Sequence, residues 1–176
     1  MIKNIFITGP PGCGKTTLIK EILEELKIQA KGFFTEEIRN GGERIGFKIV
    51  TLSGKEGILA EKGLESPYKV SKYGVLLKDL EEIGVKEIEE GLRGDFLIVV
   101  DEIGKMELFS NKFRKAILKV LDSEKKVLGT IMLKENPFCD KIKQRKDTKV
   151  FYLTRENKEK VKKEILCLFQ NLQQKK

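Results

Sequence analysis

Apolar residues along this chain switch repeatedly between two spacings. Ile2, Ile5, Phe6 and Ile7 form a run of strand length, and Leu18, Ile19, Ile22, Leu23 and Leu26 follow at the spacing of one helical face. Gly32–Ile38 reads as a second strand, closed by a turn at Asn40-Gly41-Gly42. Ile45, Phe47, Ile49 and Thr51 then alternate with Gly46, Lys48 and Val50, as in a strand with one buried face. After Ser53-Gly54 comes a short strand, Gly57–Ala60, and then a loop over 61–71 with a short strand near Tyr68–Ser71. Leu76, Leu77, Leu80, Ile83, Ile88 and Leu92 mark a helix, kinked near Gly84. Phe96-Leu97-Ile98-Val99-Val100 is a continuous apolar run, the pattern of a strand buried on both faces. Phe109, Phe113, Ile117, Val120 and Leu121 lie on one helical stripe; Lys126–Leu133 is a strand, Pro137 opens a short helix, and Lys149–Leu153 is the last strand. A final helix begins near Thr154, an N-cap with Asn157 three residues on, and buries Val161, Ile165, Leu168, Phe169 and Leu172.

This alternation predicts a three-layer α/β fold with a mainly parallel sheet, extended by an antiparallel hairpin around residues 45–60. With 176 residues and no linker, repeat or low-complexity segment, residues 1–176 are expected to form one domain.

Between the first strand and the first helix lies Gly9-Pro10-Pro11-Gly12-Cys13-Gly14-Lys15-Thr16-Thr17. It fits the phosphate-loop pattern G-x-x-x-x-G-K-[ST], in the strand–loop–helix setting that the motif needs. Backbone N–H groups of such a loop wrap phosphate oxygens, and the helix that follows turns its positive end toward them. Lys15 is expected to reach the β- and γ-phosphates and Thr16 to place its hydroxyl on Mg²⁺. Cys13 within the loop reads as a tolerated small residue, against a thiol made reactive by the helix end.

Composition narrows the chemistry. There is no histidine, which removes serine–histidine and cysteine–histidine catalysis and leaves general-base work to a carboxylate. The three cysteines, Cys13, Cys139 and Cys167, have no zinc or disulfide spacing. Met1-Ile2-Lys3 runs straight into the first strand and no apolar run approaches membrane length, so a soluble cytoplasmic protein is expected. The net charge of +8 is spread along the chain, with lysines gathered at 158, 160, 162, 163, 175 and 176. No RNA-binding motif accompanies it, and it reads as a solvated face rather than a nucleic-acid patch.

The buried run Phe96–Val100 ends in Asp101-Glu102. An acid at the end of a buried strand is the usual partner of a phosphate loop. On an adjacent parallel strand, Asp101 would support the metal beside Thr16, and Glu102 would stand near the γ-phosphate to activate or orient water. Lys105 is the first candidate for a second cation at the phosphates, with Arg44 and Arg39 behind it; a salt-bridged surface cation is an equal alternative for Lys105 and the stronger one for the arginines. Thr35, Glu36 and Glu37 are candidate sensors of phosphate or metal, or ordinary strand-end residues.

The run Asp-Glu-Ile-Gly-Lys-Met-Glu-Leu over 101–108, with Gly32–Glu37 and Gly46-Phe47, resembles the small nucleoside-triphosphatases of the thermophilic type, called cancer-related nucleoside-triphosphatase in animals. The resemblance covers nearly the whole chain. It implies a RecA-like or kinase-like core that hydrolyses ATP and other nucleoside triphosphates slowly. It also implies two nucleotide-binding segments, Gly9–Thr16 and Leu97–Gly104, the second comprising Leu97, Ile98, Val99, Val100, Asp101, Glu102, Ile103 and Gly104.

Two other functions compete with hydrolysis: a nucleotide or small-molecule kinase, and a nucleotide-dependent RNA-binding switch. No arginine-rich lid of the kind that excludes water from a kinase site is evident. A regulatory GTPase is disfavoured, because Asn111-Lys112-Phe113-Arg114 ends in Arg where a guanine-reading motif needs Asp. Little discrimination among ATP, GTP, CTP and UTP is therefore expected. Leu52-Ser53-Gly54-Lys55 faintly resembles a transporter ATPase signature, but it sits at a hairpin turn and is a chance match. The sequence leaves the oligomeric state open, with a monomer as the default.

Overall fold

In the computed structural model residues 1–173 are described, and the lysines at 175 and 176 lie outside them. Nine strands form one sheet: β1 (Asn4–Thr8), β2 (Ala30–Asn40), β3 (Glu43–Thr51), β4 (Glu56–Lys62), β5 (Lys69–Val70), β6 (Tyr73–Val75), β7 (Leu97–Ile103), β8 (Val127–Ile131) and β9 (Thr148–Tyr152). Their order is β5-β6-β4-β3-β2-β7-β8-β1-β9. From β2 to β9 all pairings are parallel; from β2 to β5 all are antiparallel. The parallel core with an antiparallel extension agrees with expectation, but the extension reaches beyond a hairpin. β5 falls in the short strand expected near Tyr68–Ser71, whereas β6 has too few residues to show an alternation.

Helices cover both faces. On one side α1 (Lys15–Leu26) and α6 (Lys158–Gln173) pack over Ile5, Ile7, Val99, Leu128 and Phe151. On the other, the chain runs through α2 (Leu77–Asp79), a π-helical stretch (Leu80–Val85) and α3 (Lys86–Arg93) before β7. That side is completed by α4 (Asn111–Asp122) and α5 (Pro137–Lys143), over Phe6, Phe33, Ile98 and Val100. The unbroken apolar run of β7 thus divides by parity, Leu97 and Val99 to one core, Ile98 and Val100 to the other. The kink expected near Gly84 is the π-helical stretch, where the bare Cα of Gly84 admits the ring of Phe33. Among the described residues no helix is long and apolar enough to cross a membrane.

Two expectations need correction. β7 does not lie beside β1, because β8 runs between them and pairs with both. Sequence proximity gives no strand order, since every parallel crossover passes over a helix and can skip a neighbour. The final helix begins at Lys158 rather than near Thr154. Asn157 supplies the first helical acceptor, taking Val161 N–H at 3.0 Å. Thr154 and Asn157 still bond reciprocally, Asn157 Oδ1 accepting from Thr154 N at 2.8 Å and Thr154 Oγ1 from Asn157 N at 3.3 Å. They clamp the turn before the helix.

β2 serves both halves of the sheet, and Gly32 is what lets it approach β7. Its φ is +133°, and a Cβ there would lie 2.7 Å from the Val99 carbonyl carbon and overlap its oxygen. Gly32→Ala should therefore cost about 2–4 kcal/mol, combining backbone strain with forced parting of two central strands. Chemical denaturation measures this; a loss below about 1 kcal/mol, the centre of ordinary substitutions, would contradict the tight approach.

Candidate active site

β1 delivers the chain into the Gly9–Thr17 loop, and Gly14, in the left-handed conformation, passes it to α1. Lys15 lies folded over its own loop. Its Nζ donates to Gly9 O and Pro10 O, each at 3.0 Å. Cys13 is buried, its Sγ 3.9 Å from the same amine, and it packs with Leu18 and Ile19 beneath α1.

Asp101 and Thr16 meet across the C-terminal end of the sheet. Thr16 Oγ1 donates to Asp101 Oδ2 at 2.5 Å, and Thr130 Oγ1, from the intervening β8, donates to Asp101 Oδ1 at 2.5 Å. Asp101 is only 5% exposed and among the described residues has no salt bridge. Burial pushes its pKa up; the two hydroxyls, with Lys15 and Lys20 at longer range, pull it back down. Its carboxylate and the Thr16 hydroxyl are hard oxygen donors, the type that Mg²⁺ prefers. No group of three or more Asp, Glu, Cys or His among the described residues could hold a metal unaided. Most of an ion's shell would have to come from phosphate and water, which is how Mg²⁺ usually binds at phosphate sites.

Glu102 follows on the same strand end. Its carboxylate lies against the backbone of Gly104, where an added Cβ would sit 2.9 Å from Glu102 Cδ. Burial and the Asp101 charge raise its pKa, and Lys15 lowers it. Glu107, in the 3₁₀ turn Glu107–Phe109, is 2% exposed. Thr35 Oγ1 on β2 reaches its carboxyl at 3.5 Å. Glu107 therefore ties β2 to the turn that carries Glu102. Burial, reinforced by the charge of Glu102, holds its pKa well above the usual carboxylate range.

The remaining candidates separate clearly. Lys105 is exposed and among the described residues has no ion pair, so the salt-bridge alternative does not apply to it. Arg39 and Arg44 are committed elsewhere: both pair with Glu37, at 2.6 and 2.9 Å, and Arg44 also lies over Phe47 and Tyr73. Glu36 pairs with Lys20 at 3.1 Å, and that amine stands over the Phe34 ring. Of the three polar residues on β2, Thr35 alone joins the carboxylate cluster. Leu97, Ile98, Val99 and Val100 are at most 4% exposed and fill the cores, so the segment Leu97–Gly104 offers the site only its end. Sequence reasoning missed Thr130, a threonine in an apolar strand with no motif around it. It placed Glu107 in the resemblance and as a base only behind Glu102, because burial of one glutamate among surface glutamates leaves no pattern.

The sequence matches the NTPase family over residues 4–166. It is 55% identical over 165 residues to the nucleoside-triphosphatase THEP1 of Thermotoga maritima, covering 94% of both chains. It is 41% identical over 187 residues to the cancer-related nucleoside-triphosphatase of Homo sapiens, covering 97% of this chain and 98% of that one. The crystal structure of THEP1 from Aquifex aeolicus superposes with a TM-score of 0.86 at 39% identity, over 94% of this chain and 98% of that one.

Glu107 gives a pH signature. In the folded chain it holds its proton to higher pH than in the unfolded chain. Its contribution to stability is therefore full below the ordinary glutamate pKa of 4.5 and is lost as pH rises through the raised value. Glu107→Gln keeps the neutral shape at every pH. It should melt several degrees above wild type at pH 8, with the gain gone by pH 4, about where glutamates ordinarily titrate. Calorimetric melts across that range test this; curves that stay parallel would show that Glu107 titrates normally.

Proposed function

The chain belongs to the NTPase family, and we propose that it hydrolyses nucleoside triphosphates, ATP and equally GTP, CTP and UTP, to the diphosphate and phosphate with Mg²⁺. The observation that carries this reading is the contact of Thr16 with Asp101 at 2.5 Å, which joins the phosphate loop to the acidic end of β7.

The loop amides and Lys15 would bind the triphosphate. The Lys15 amine already stands over the loop, held by two carbonyls that a phosphate oxygen can replace. Thr16 and Asp101 would hold Mg²⁺, whose charge offsets that of the phosphates. Such a cation would also relieve the burial of Asp101, which has only two hydroxyls for partners at present.

Glu102 is the base in this reading. Water attacks the γ-phosphorus, its proton passes to the Glu102 carboxylate, and the bond to the β–γ bridging oxygen breaks. A carboxylate whose pKa is raised by burial is a stronger base than one in water, which suits it to take that proton. Gly104 keeps the carboxylate's resting place open. Lys105, free of partners, is the cation available to the transferring phosphoryl group. No side chain near the loop presents a buried polar edge matched to one base, which favours broad base tolerance.

Three measurements test the reading. Lys15→Ala should abolish triphosphate binding by calorimetry; wild-type affinity there would remove the loop assignment. Excess chelator should abolish turnover. Glu102→Gln should bind Mg²⁺–ATP normally yet hydrolyse it about 10²–10⁴-fold more slowly in single turnover, the range of general-base assistance. A rate within about threefold of wild type would transfer the role to another group.

A further inference from the structure

We propose that Tyr152 is the stacking platform for the nucleobase of the substrate. This rests on the phosphate-loop reading above and names the part of the ligand that the loop does not bind.

Of the three tyrosines, two are committed. Tyr73 bonds Arg44 and packs edge-on to Phe47, and Tyr68 lies 5.2 Å from the Phe109 ring. Tyr152 is 52% exposed and among the described residues has no ring, cation or hydrogen-bond partner for its side chain. Its ring is therefore open to a partner from solution.

Its position says what would cover it. Tyr152 is the last residue of β9 and lies directly opposite Thr8, the residue before Gly9. The chain beyond it is fastened to the loop: Leu153 N–H donates to Thr8 O at 2.8 Å, and Leu153 O packs so closely on Gly9 that a Cβ there would lie 2.6 Å away. Asn157 Nδ2 donates to Tyr152 O at 2.9 Å and holds the turn from the other side. The backbone of Tyr152 is thus fixed beside the start of the loop, with its exposed ring at the adjoining sheet edge.

The direction of the ligand follows from strand order. Asp101 and Glu102 stand on β7, to one side of β1, and the γ-phosphate must face them. The nucleoside then leaves on the opposite side, where β9 is the edge of the sheet. A π-face there receives any base, since stacking is sequence-tolerant, and this agrees with the absence of a base-reading carboxylate.

The test compares Tyr152→Ala, Tyr152→Phe and wild type for binding of Mg²⁺–ATP and of Mg²⁺–tripolyphosphate, which has no base. Stacking of one base is worth about 1–3 kcal/mol, or about 5- to 150-fold in affinity. Tyr152→Ala should lose that much for ATP, as a raised KM with kcat little changed, and nothing for tripolyphosphate; Tyr152→Phe should match wild type. ATP affinity within about twofold of wild type in Tyr152→Ala, well short of that range, overturns the proposal. An equal loss for tripolyphosphate also overturns it, since that reports a disturbed loop. The natural chain has no tryptophan, so Tyr152→Trp supplies a unique fluorophore. Its emission should change with saturating Mg²⁺–ATP and not with tripolyphosphate; emission unmoved by saturating ATP refutes stacking. Lys15→Ala run in parallel keeps the two readings apart, because undiminished ATP binding there removes the phosphate loop whatever Tyr152 does.

Discussion

A carboxylate sunk to 5% exposure must obtain from the protein what it has lost from water, and Asp101 obtains it from two threonine hydroxyls. One comes from the first turn of α1 and the other from β8. The three residues lie on three different elements, so their meeting fixes β7, β8 and the head of α1 relative to one another at the end of the sheet where chemistry is proposed. Two hydroxyl donors do not fully replace hydration, and burial still drives the pKa of Asp101 upward. The group is held where a cation would be most welcome. Functional sites commonly carry such local cost against a stable scaffold.

The scaffold is built around that end. β7 is apolar to both faces until Val100 and turns acidic in one step, so a buried strand ends in the acids of the site. β2 bridges the parallel core and the antiparallel arm, and Thr35 connects it to Glu107 beneath the Glu102 turn. A second buried acid, Glu87, accepts from Ser53 Oγ at 2.9 Å and lies 3.5 Å from Lys31. It binds α3 to β2 and to the β3–β4 turn, far from the loop, and needs no catalytic explanation. The arginines Arg39 and Arg44 likewise spend their charge on Glu37 and on aromatic faces within the arm.

Legibility in the sequence followed the range of the interactions involved. The Gly9–Thr17 loop was readable because its chemistry depends on consecutive residues and on the elements just before and after it. The π-helical stretch announced itself through Gly84 within an otherwise regular stripe. Strand order was not readable: whether β8 falls between β1 and β7 depends on which helices fill each face, not on any local pattern. The threonine at 130 has the same cause, since a hydroxyl in an apolar strand acquires meaning only when Asp101 is seen beside it. Tyr152 is the reverse case. Its neighbours Phe151 and Leu153 are buried, and pleat alone sends Tyr152 to the other face, but only the sheet edge leaves that face open.

The posture of Lys15 has a consequence for what the loop will admit. Its ammonium donates to two carbonyl oxygens of the loop, neutral dipoles that orient the positive charge without cancelling it. A neutral molecule entering would have to break both bonds and return only a dipole to a full positive charge. An anion breaks the same bonds and returns more than it takes. In the proposed reading the lysine therefore favours an anionic ligand over a neutral one.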